Sequence, residues 1–386
     1  MLAARKVPYG RLSGFYFFHF SALGAFLPYW ALYLQDRGFS AAEIGQLIAI
    51  TAATRVVAPN LFGWLADRTG RTLSLVRLAG FFTLAAFSPV FGLEGFGGFA
   101  LVMLVFSFFW NATLPLFETV TLNHLHHDTY RYSRVRVWGS IGFIAAVVSI
   151  GKALEGALSI GCLPQLIALL FGGLWLVSLT VPRGPTEIHG PEPSSLANIL
   201  KRGDVIAFFL ACMLQQLAHG PYYVFFSVYL QNHGFGSGET GQLWALGVLA
   251  EIVLFAFLHR LLARYSLRRI FLASLALSVV RWLLIAWGID SLAAVLSGQL
   301  LHAASFGSAH VAAIHLVHRH FRGPHHGKGQ ALYSALSFGL GGALGSLYSG
   351  HFWTALGPHW VYTAAAGFSL LALLIAWPSV GTRDAD

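Results

Sequence analysis

The sequence predicts an all-α, polytopic membrane protein whose twelve transmembrane helices form two pseudo-symmetric six-helix bundles. Three observations lead to this fold class: the scarcity of charged residues, the length of the apolar runs and an internal repeat. Hydrophobic residues make up 56% of the 386 residues and charged residues only 10%, whereas soluble domains carry about 25% charged residues. This composition excludes a water-soluble globule, a disordered chain and a coiled coil.

The apolar runs are long enough to cross a bilayer. A helix that rises 1.5 Å per residue needs about 20 residues to cross about 30 Å of hydrocarbon. The longest run without acidic or basic residues, 329–382, must hold two helices, and Gly357 and Pro358 interrupt it where the chain has to turn. The runs predict twelve spans, at residues 12–34, 43–65, 74–93, 98–121, 134–152, 163–181, 205–229, 241–262, 270–288, 292–316, 329–350 and 360–377.

The distribution of basic residues predicts the orientation. Of the 24 Lys and Arg residues, nineteen fall in connections on the side of the N-terminus, and two, Arg37 and Lys152, fall on the opposite side. The positive-inside rule then places both termini in the cytoplasm, and we expect a multi-pass protein of the cytoplasmic (inner) membrane. The same rule accounts for the net charge of +9 without nucleic acid as a partner. The basic N-terminal segment, which lacks a cleavage site, predicts an uncleaved first span.

An internal repeat divides the chain. A shift of 196 residues gives ten identities within 33–50, among them Gly38 with Gly234 and Glu43 with Glu239. The offset equals six spans plus a polar, proline-rich stretch, so we predict an N-terminal bundle at 1–181, a cytoplasmic linker at 182–203 and a C-terminal bundle at 204–386. Two parallel halves of this kind are typical of alternating access, with a substrate site between them near the membrane midplane.

The connection between the second and third spans carries a family signature. Residues 63–71 read GWLADRTGR and resemble the signature loop of the major facilitator superfamily. A glycine allows helices to approach closely, and acidic and basic side chains can bridge helix ends. We therefore expect a conformational latch formed by Gly63, Asp67, Arg68, Gly70 and Arg71.

Further motifs resemble one branch of that superfamily, the phenylpropionate permeases, which are similar in architecture to the galactoside:proton symporters. These motifs are residues 135–140, 216–223, 246–251 and 280–282, and Leu301–His302 with His310. The resemblance implies proton-coupled import of a small aromatic carboxylate, with the proton as coupling ion and no cofactor. The implied partners are a small-molecule substrate, protons and the lipid bilayer, with no obligatory protein partner. The alternative is a proton symporter for a neutral sugar, such as a galactoside or oligosaccharide, or for a nucleoside.

Charged residues inside the spans are the candidate coupling residues. Each charge at a helix centre costs about 2.5 to 3.5 kcal/mol, so Arg55, Glu251 and Arg281 are expected to have functions. Arginine keeps its proton, whereas Glu251, Glu118 and His310 can bind and release one. We predict that these three residues and Arg281 couple transport to protons. A conformational change that separates Glu251 from Arg281 would change the affinity of Glu251 for a proton.

The predicted substrate-binding residues combine a cation with hydrogen-bonding and aromatic side chains. Aromatic rings can stack on a substrate ring, and arginine can bind a carboxylate through two nitrogens. Arg55 and Glu251 are equivalent under the 196-residue shift and should approach the cavity from opposite halves. The predicted set is Arg55, Trp30, Asn111, Trp138, His219, Tyr222, Tyr223 and Arg281.

Other kinds of chemistry lack their sequence signatures. The stretch 323–329 has the wrong spacing for a phosphate loop, and no motif of a hydrolase or metalloprotease occurs, so the sequence predicts a transporter and not an enzyme. Cys162 and Cys212 are too few for a disulfide framework or a cysteine-based metal site. The histidines between residues 315 and 326 favour a basic interfacial loop over a metal site, so no metal is expected.

Overall fold

The computed structural model describes residues 7–126, 128–184, 197–322 and 325–381, and it is helical from the first span to the last. We number the spanning helices α1 to α12 in chain order. Their bounds are Tyr9–Asp36, Ala41–Thr69, Thr72–Phe91, Phe96–His124, Thr129–Gly156, Ile160–Thr180, Gly203–Asn232, Ser237–Arg264, Leu267–Trp287, Leu292–His320, the consecutive segments His326–Tyr333, Ser334–Gly341 and Gly342–Leu356, and Pro358–Ser379.

Each predicted span coincides with one of these helices. Eleven of them are, among the described residues, single helical runs long and apolar enough to cross a membrane. The remaining span, α11, is divided by a π-helical segment at Ser334–Gly341. A second π-helical segment, Ala303–Ser308, lies in α10, and α7 is interrupted at His219. These three irregular positions lie in the C-terminal bundle, and the hydrophobic pattern did not predict them.

The repeat corresponds to matching turns at the ends of α1 and α7. Gly38 and Gly234 both have a φ of +85°, a left-handed conformation that glycine adopts without strain. After each turn a glutamate caps the next helix, because Glu43 accepts from the Ser40 amide at 2.9 Å and Glu239 from the Gly236 amide at 2.8 Å. The identities therefore preserve the chemistry of a turn and a helix start.

The two bundles meet at the end of the molecule where α1 finishes. There α2 packs on α11 and α5 on α8. A Cβ atom on Gly45 would lie 2.6 Å from the Ser346 carbonyl oxygen, and one on Gly241 would lie 2.5 Å from the Val147 carbonyl oxygen. Small residues allow this backbone contact. Between described residues of the two bundles, one hydrogen bond is recorded, from the Tyr29 hydroxyl to the Ser237 carbonyl at 3.4 Å.

Part of the predicted linker, residues 185–196, lies outside the described residues, as do Arg5, Lys6 and Arg383, which entered the count of basic residues. Before α7, the described part of the chain contains one short helix, Ala197–Leu200.

Candidate transport site

In the N-terminal bundle, Arg55 is the central charged residue. Its Nε donates to the Asn111 side-chain oxygen at 3.1 Å. The Asn111 amide nitrogen in turn donates to the Thr51 carbonyl at 2.9 Å and to the Thr54 hydroxyl at 2.8 Å. Arg55 is half-buried, and no acidic partner is recorded for it among the described residues. It interacts electrostatically with Tyr223 of the C-terminal bundle. The structure thus brings together three of the predicted substrate-binding residues, Arg55, Asn111 and Tyr223.

Glu118 belongs to a second polar group in the same bundle. Its Oε1 accepts from the Tyr132 hydroxyl at 3.2 Å and lies 3.6 Å from Arg136 Nε. The Arg136 guanidinium also lies over the Phe20 ring, 4.2 Å from its centroid. Sequence analysis counted Arg136 with the cytoplasmic connections because it lies at the start of the predicted span 134–152, and the structure places it within α5, which begins at Thr129. Its position in the 135–140 motif was the available signal.

In the C-terminal bundle, Glu251 lies against a histidine. Its Oε1 is 2.9 Å from His302 Nε2, and the two side chains are 14% and 8% exposed. Sequence analysis paired Glu251 with Arg281 instead. That ion pair is not recorded among the described residues, so in this conformation the carboxylate and the arginine are separated.

Arg281 holds α9 against α10 and is fully buried. Its Nε donates to the Gly298 carbonyl at 2.9 Å and one terminal nitrogen donates to the Ser305 hydroxyl at 3.0 Å. The guanidinium lies 4.3 Å from the centroid of the Tyr222 ring and 4.5 Å from that of Trp282. Such stacking is favourable for arginine. Because Ser305 belongs to the π-helical segment of α10, Arg281 fixes the part of α10 that directly follows His302.

The predicted residues of α7 lie around Arg281. The Tyr222 hydroxyl donates to Gln299 Oε1 at 2.9 Å. His219, at the interruption of α7, is completely buried and its Nδ1 lies 2.7 Å from the Gln215 carbonyl oxygen. Gln215 also donates to the Ser305 carbonyl at 2.9 Å. Sequence analysis missed Gln215 and Gln299, because neutral amides in an apolar run give no charge signal.

His310 lies two turns beyond His302 on α10. Its Nδ1 is 3.0 Å from the Tyr333 hydroxyl on α11. The rings of His302, Phe306 and His310 are nearly parallel, with centroids 5.3 and 6.1 Å apart along the series. His310 and Glu251 interact electrostatically, so two of the predicted coupling residues lie in one polar region.

The two predicted tryptophans lie apart from these groups. Trp30 is fully buried and packs on Phe26 and Phe87 inside the N-terminal bundle. Trp138 is 38% exposed, and its indole nitrogen donates to the Tyr9 hydroxyl at 3.1 Å near the start of α1. The structure therefore does not bring either ring to Arg55.

The predicted latch lies at the end where the bundles do not meet. Gly70 ends α2 with a φ of +65°, and its amide donates to the Ala66 carbonyl at 2.8 Å. Asp67 and Arg68 are exposed, and Arg68 lies over the Trp64 ring at 5.4 Å. Gly63 has no atom within 4 Å of an added Cβ, and Arg71 precedes α3. Within the described part of the chain, Asp67 forms no recorded ion pair, and the latch remains a prediction.

Comparison of the sequence with known proteins identifies relatives that are transporters. Residues 9–364 match the family model described as MFS_1 like family. The chain is 30% identical over 369 residues to a probable 3-phenylpropionic acid transporter of Escherichia coli (strain K12), covering 93% of this chain and 95% of that protein. It is 28% identical to the maltose permease of Geobacillus stearothermophilus, covering 90% and 88%.

Solved structures of low sequence identity share the fold. A mutant form of the nucleoside transporter NupG superposes with a TM-score of 0.86 at 18% identity, covering 96% of this chain and 99% of that one. The peptide transporter POT superposes with a TM-score of 0.77 at 12% identity, covering 96% and 93%. The two structures are therefore similar to this chain in architecture.

Proposed function

The chain belongs to the MFS_1-like family of secondary transporters, and on that premise we propose that it imports a small aromatic carboxylate of the 3-phenylpropionate type together with a proton. It is a multi-pass membrane protein and not an enzyme. The proposal goes beyond the family in naming a substrate class, a coupling ion and a direction.

The observation that carries the substrate class is the state of Arg55. This arginine is half-buried, is oriented by Asn111, and has no acidic partner among the described residues. A partly buried arginine without a carboxylate partner has a desolvation cost that a bound anion offsets. A substrate carboxylate would accept from its terminal nitrogens, while Tyr223 of the other bundle offers an aromatic ring. The 30% identical relative named for 3-phenylpropionic acid supports the same class.

Proton coupling is assigned to the polar region of the C-terminal bundle. Glu251 carries the proton, with His302 as its immediate neighbour at 2.9 Å. Arg281 supplies a fixed positive charge that approaches Glu251 in the other conformation, and His310 and Glu118 are the further groups able to carry protons. The carboxylate then binds at Arg55 in the N-terminal bundle, and the proton binds at Glu251 in the C-terminal bundle. Both reach their sites from the cleft between the bundles.

Alternating access supplies the movement. With both termini in the cytoplasm and the protein in the inner membrane, the end at which the bundles meet faces outward, and this conformation is open to the cytoplasm. Rocking of the bundles about the contacts of Gly45 and Gly241 would open the outer end, and the residues of the latch at 63–71 would then engage at the inner end.

Proteoliposomes containing the purified chain provide the test. Proton uptake is measured on addition of 3-phenylpropionate, maltose, a galactoside or a nucleoside, with the membrane potential held at zero and then at a negative value. A monoanion moving with one proton carries no net charge, whereas a neutral solute with one proton gains about 2.3 kcal/mol per 100 mV. A potential-independent signal with the aromatic acid alone is expected.

The runner-up is a proton symporter for a neutral sugar or nucleoside, and the maltose permease relative favours it. A potential-dependent signal with maltose, the galactoside or the nucleoside alone would establish it. In that case Arg55 would bind solute hydroxyl groups and not a carboxylate.

A further inference from the structure

A small cavity lies in the C-terminal bundle, between α7, α9, α10 and α11, and several polar side chains contribute to its largely apolar lining. Its lining includes Gln215 and His219 of α7, Ser305 and His310 of α10, and Tyr333 of α11. The cavity is therefore bounded by the interruption of α7 and by a π-helical segment. Such segments frequently occur at functional sites. The polar side chains in its lining can bind a water molecule there.

His219, one of the residues that line this cavity, carries a proton acceptor that is unpaired within the described part of the chain. Its Nδ1 lies 2.7 Å from the Gln215 carbonyl oxygen, and a carbonyl oxygen can only accept, so Nδ1 carries the hydrogen of the neutral ring. Nε2 is therefore the lone-pair nitrogen. That atom is fully buried and has no hydrogen-bond partner among the described residues. A buried acceptor of this kind is suited to receive a proton and to release it again.

His302 connects Glu251 to His219. Its Nε2 lies 2.9 Å from Glu251 Oε1, its Nδ1 is buried without a recorded partner, and its ring centroid lies 6.4 Å from that of His219. Across the cavity, the His310 ring lies 3.0 Å from the Tyr333 hydroxyl. Tyr333 is seven residues from the start of α11 at His326, or about 10 Å along the helix axis.

We propose that the proton carried by Glu251 leaves along a route inside the C-terminal bundle, through His302, His219 and the cavity to His310 and Tyr333, and not through the cleft that binds the substrate. This inference rests on the proton symport proposed above. It adds His302, His219 and Tyr333 as residues of the proton route.

The transfer is balanced at each step. The O–H bond of protonated Glu251 breaks as an N–H bond forms at His302 Nε2, and the resulting imidazolium releases its Nδ1 proton. His302 then donates from Nε2 to the carboxylate that remains. His219 Nε2 accepts the released proton and returns it to water in the cavity, which protonates His310 at Nε2. The His310 Nδ1–H bond then breaks as an O–H bond forms at Tyr333, whose original hydroxyl proton leaves toward the start of α11. Nothing is oxidised or reduced.

The neighbouring fixed charges disfavour a lasting positive charge on the histidines of this route. Arg281 interacts electrostatically with Glu251, His219 and His302. His310 interacts with Glu251 and with Arg136 of α5, and Tyr222 and Tyr223 are the other titratable groups near Glu251. Because Arg281 and Arg136 are fixed cations, each imidazole holds the extra proton only briefly before passing it on.

The first test removes a single hydroxyl. In Tyr333→Phe, proton uptake driven by the substrate is expected to fall by about a hundredfold, the lower end of what a positioned proton-transfer group contributes. Exchange of labelled substrate at equal concentrations needs no proton release, so it should be retained. Tyr348→Phe is the matched control, because Tyr348 is a partly buried tyrosine of the same helix whose hydroxyl is buried and which does not line the cavity.

The second test separates the two nitrogens of His219. In His219→Asn, the side-chain amide can still donate to the Gln215 carbonyl, but the Nε2 acceptor is lost. We expect net proton uptake to fall by the same factor and exchange to fall much less, because loss of a substrate contact alone would lower both equally. A purely structural role for His219 would instead leave proton uptake intact in this variant.

The outcomes are distinguishable from failure of the proposed function. If the unmodified chain takes up no protons with any solute, the symport itself is wrong. If the unmodified chain couples and Tyr333→Phe and His219→Asn take up protons at its rate, or lose uptake and exchange equally, the internal route is overturned. Selective loss of net proton uptake in both variants, with Tyr348→Phe unchanged, supports it.

Discussion

Oε1 of Glu251 on α8 lies 2.9 Å from Nε2 of His302 on α10, while Arg281 on α9 binds the backbone and hydroxyl of α10. Both members of the acid–histidine pair are nearly buried, so a proton on either one is sheltered from bulk water. The arginine fixes the helix that carries the histidine. This division of roles suggests separate consequences for changing the acid and the arginine.

Replacing the acid should uncouple transport. Glu251→Gln keeps the size and the hydrogen-bonding capacity of the side chain, but the amide cannot release a proton at Oε1. Accumulation of solute against a gradient should be abolished, while downhill exchange continues. Uptake and exchange in proteoliposomes with and without an imposed pH gradient measure this difference. Normal accumulation in the variant would remove Glu251 as the coupling residue.

Replacing the arginine should weaken the packing of α9 on α10. Arg281→Lys keeps the charge but loses the fork that joins the Gly298 carbonyl to the Ser305 hydroxyl. Losing one hydrogen bond to a charged group costs about 1.5 to 3 kcal/mol, so transport should slow and the thermal midpoint should fall.

Arg77→Lys is the matched control for the arginine. Arg77 also binds backbone carbonyls, those of Ser178 and Val181 at the end of α6. The Arg77→Lys substitution should lower the thermal midpoint without affecting the coupling of transport to protons. Unchanged transport kinetics in Arg281→Lys would show that only the charge of Arg281 matters.

Replacing Arg55 should affect carboxylate substrates selectively. In Arg55→Gln, the loss of charge-assisted hydrogen bonds worth about 1.5 to 3 kcal/mol predicts a KM about 10- to 100-fold higher for 3-phenylpropionate. Initial uptake rates over a range of substrate concentrations test this. Arg55→Lys should retain part of the affinity, since the charge remains. Equal KM values for Arg55→Gln and the unmodified chain would place the carboxylate elsewhere.

The fold could be predicted from sequence because membrane spans depend on length and composition, properties that are read directly from the chain. The repeated Gly38 and Gly234 turns were equally accessible, since glycine and glutamate at fixed spacing encode a left-handed turn and a helix cap. Charged residues within apolar runs, such as Arg55 and Glu251, are also read directly from the sequence, and they gave the candidate residues.

The contacts of those residues could not be predicted. The partner of Glu251 depends on which side of α10 faces α8. Directly after His302, α10 contains a π-helical segment, and such a segment has no distinctive hydrophobic period. The neutral Gln215 carries no charge to mark it. Trp30 looked suitable for a substrate ring, yet aromatic composition alone does not distinguish the bundle interior from the cleft.

The closed end of the molecule should be opened by a bulky residue. Gly45 on α2 has no room for a side chain, because an added Cβ would lie 2.6 Å from the Ser346 carbonyl oxygen and 2.7 Å from the Gly350 Cα. Both are backbone atoms, so neither can rotate away. In Gly45→Trp, the bundles must therefore separate at this end, and rocking should bring the opposite ends together. Spin labels at positions 69 and 264, at the free ends of α2 and α8, should report a shorter distance. Gly367→Trp on α12 is the control, since nothing lies within 4 Å of a Cβ there. An unchanged distance in Gly45→Trp, with the protein folded, would show that α2 bends locally and that the bundles do not rock about this contact.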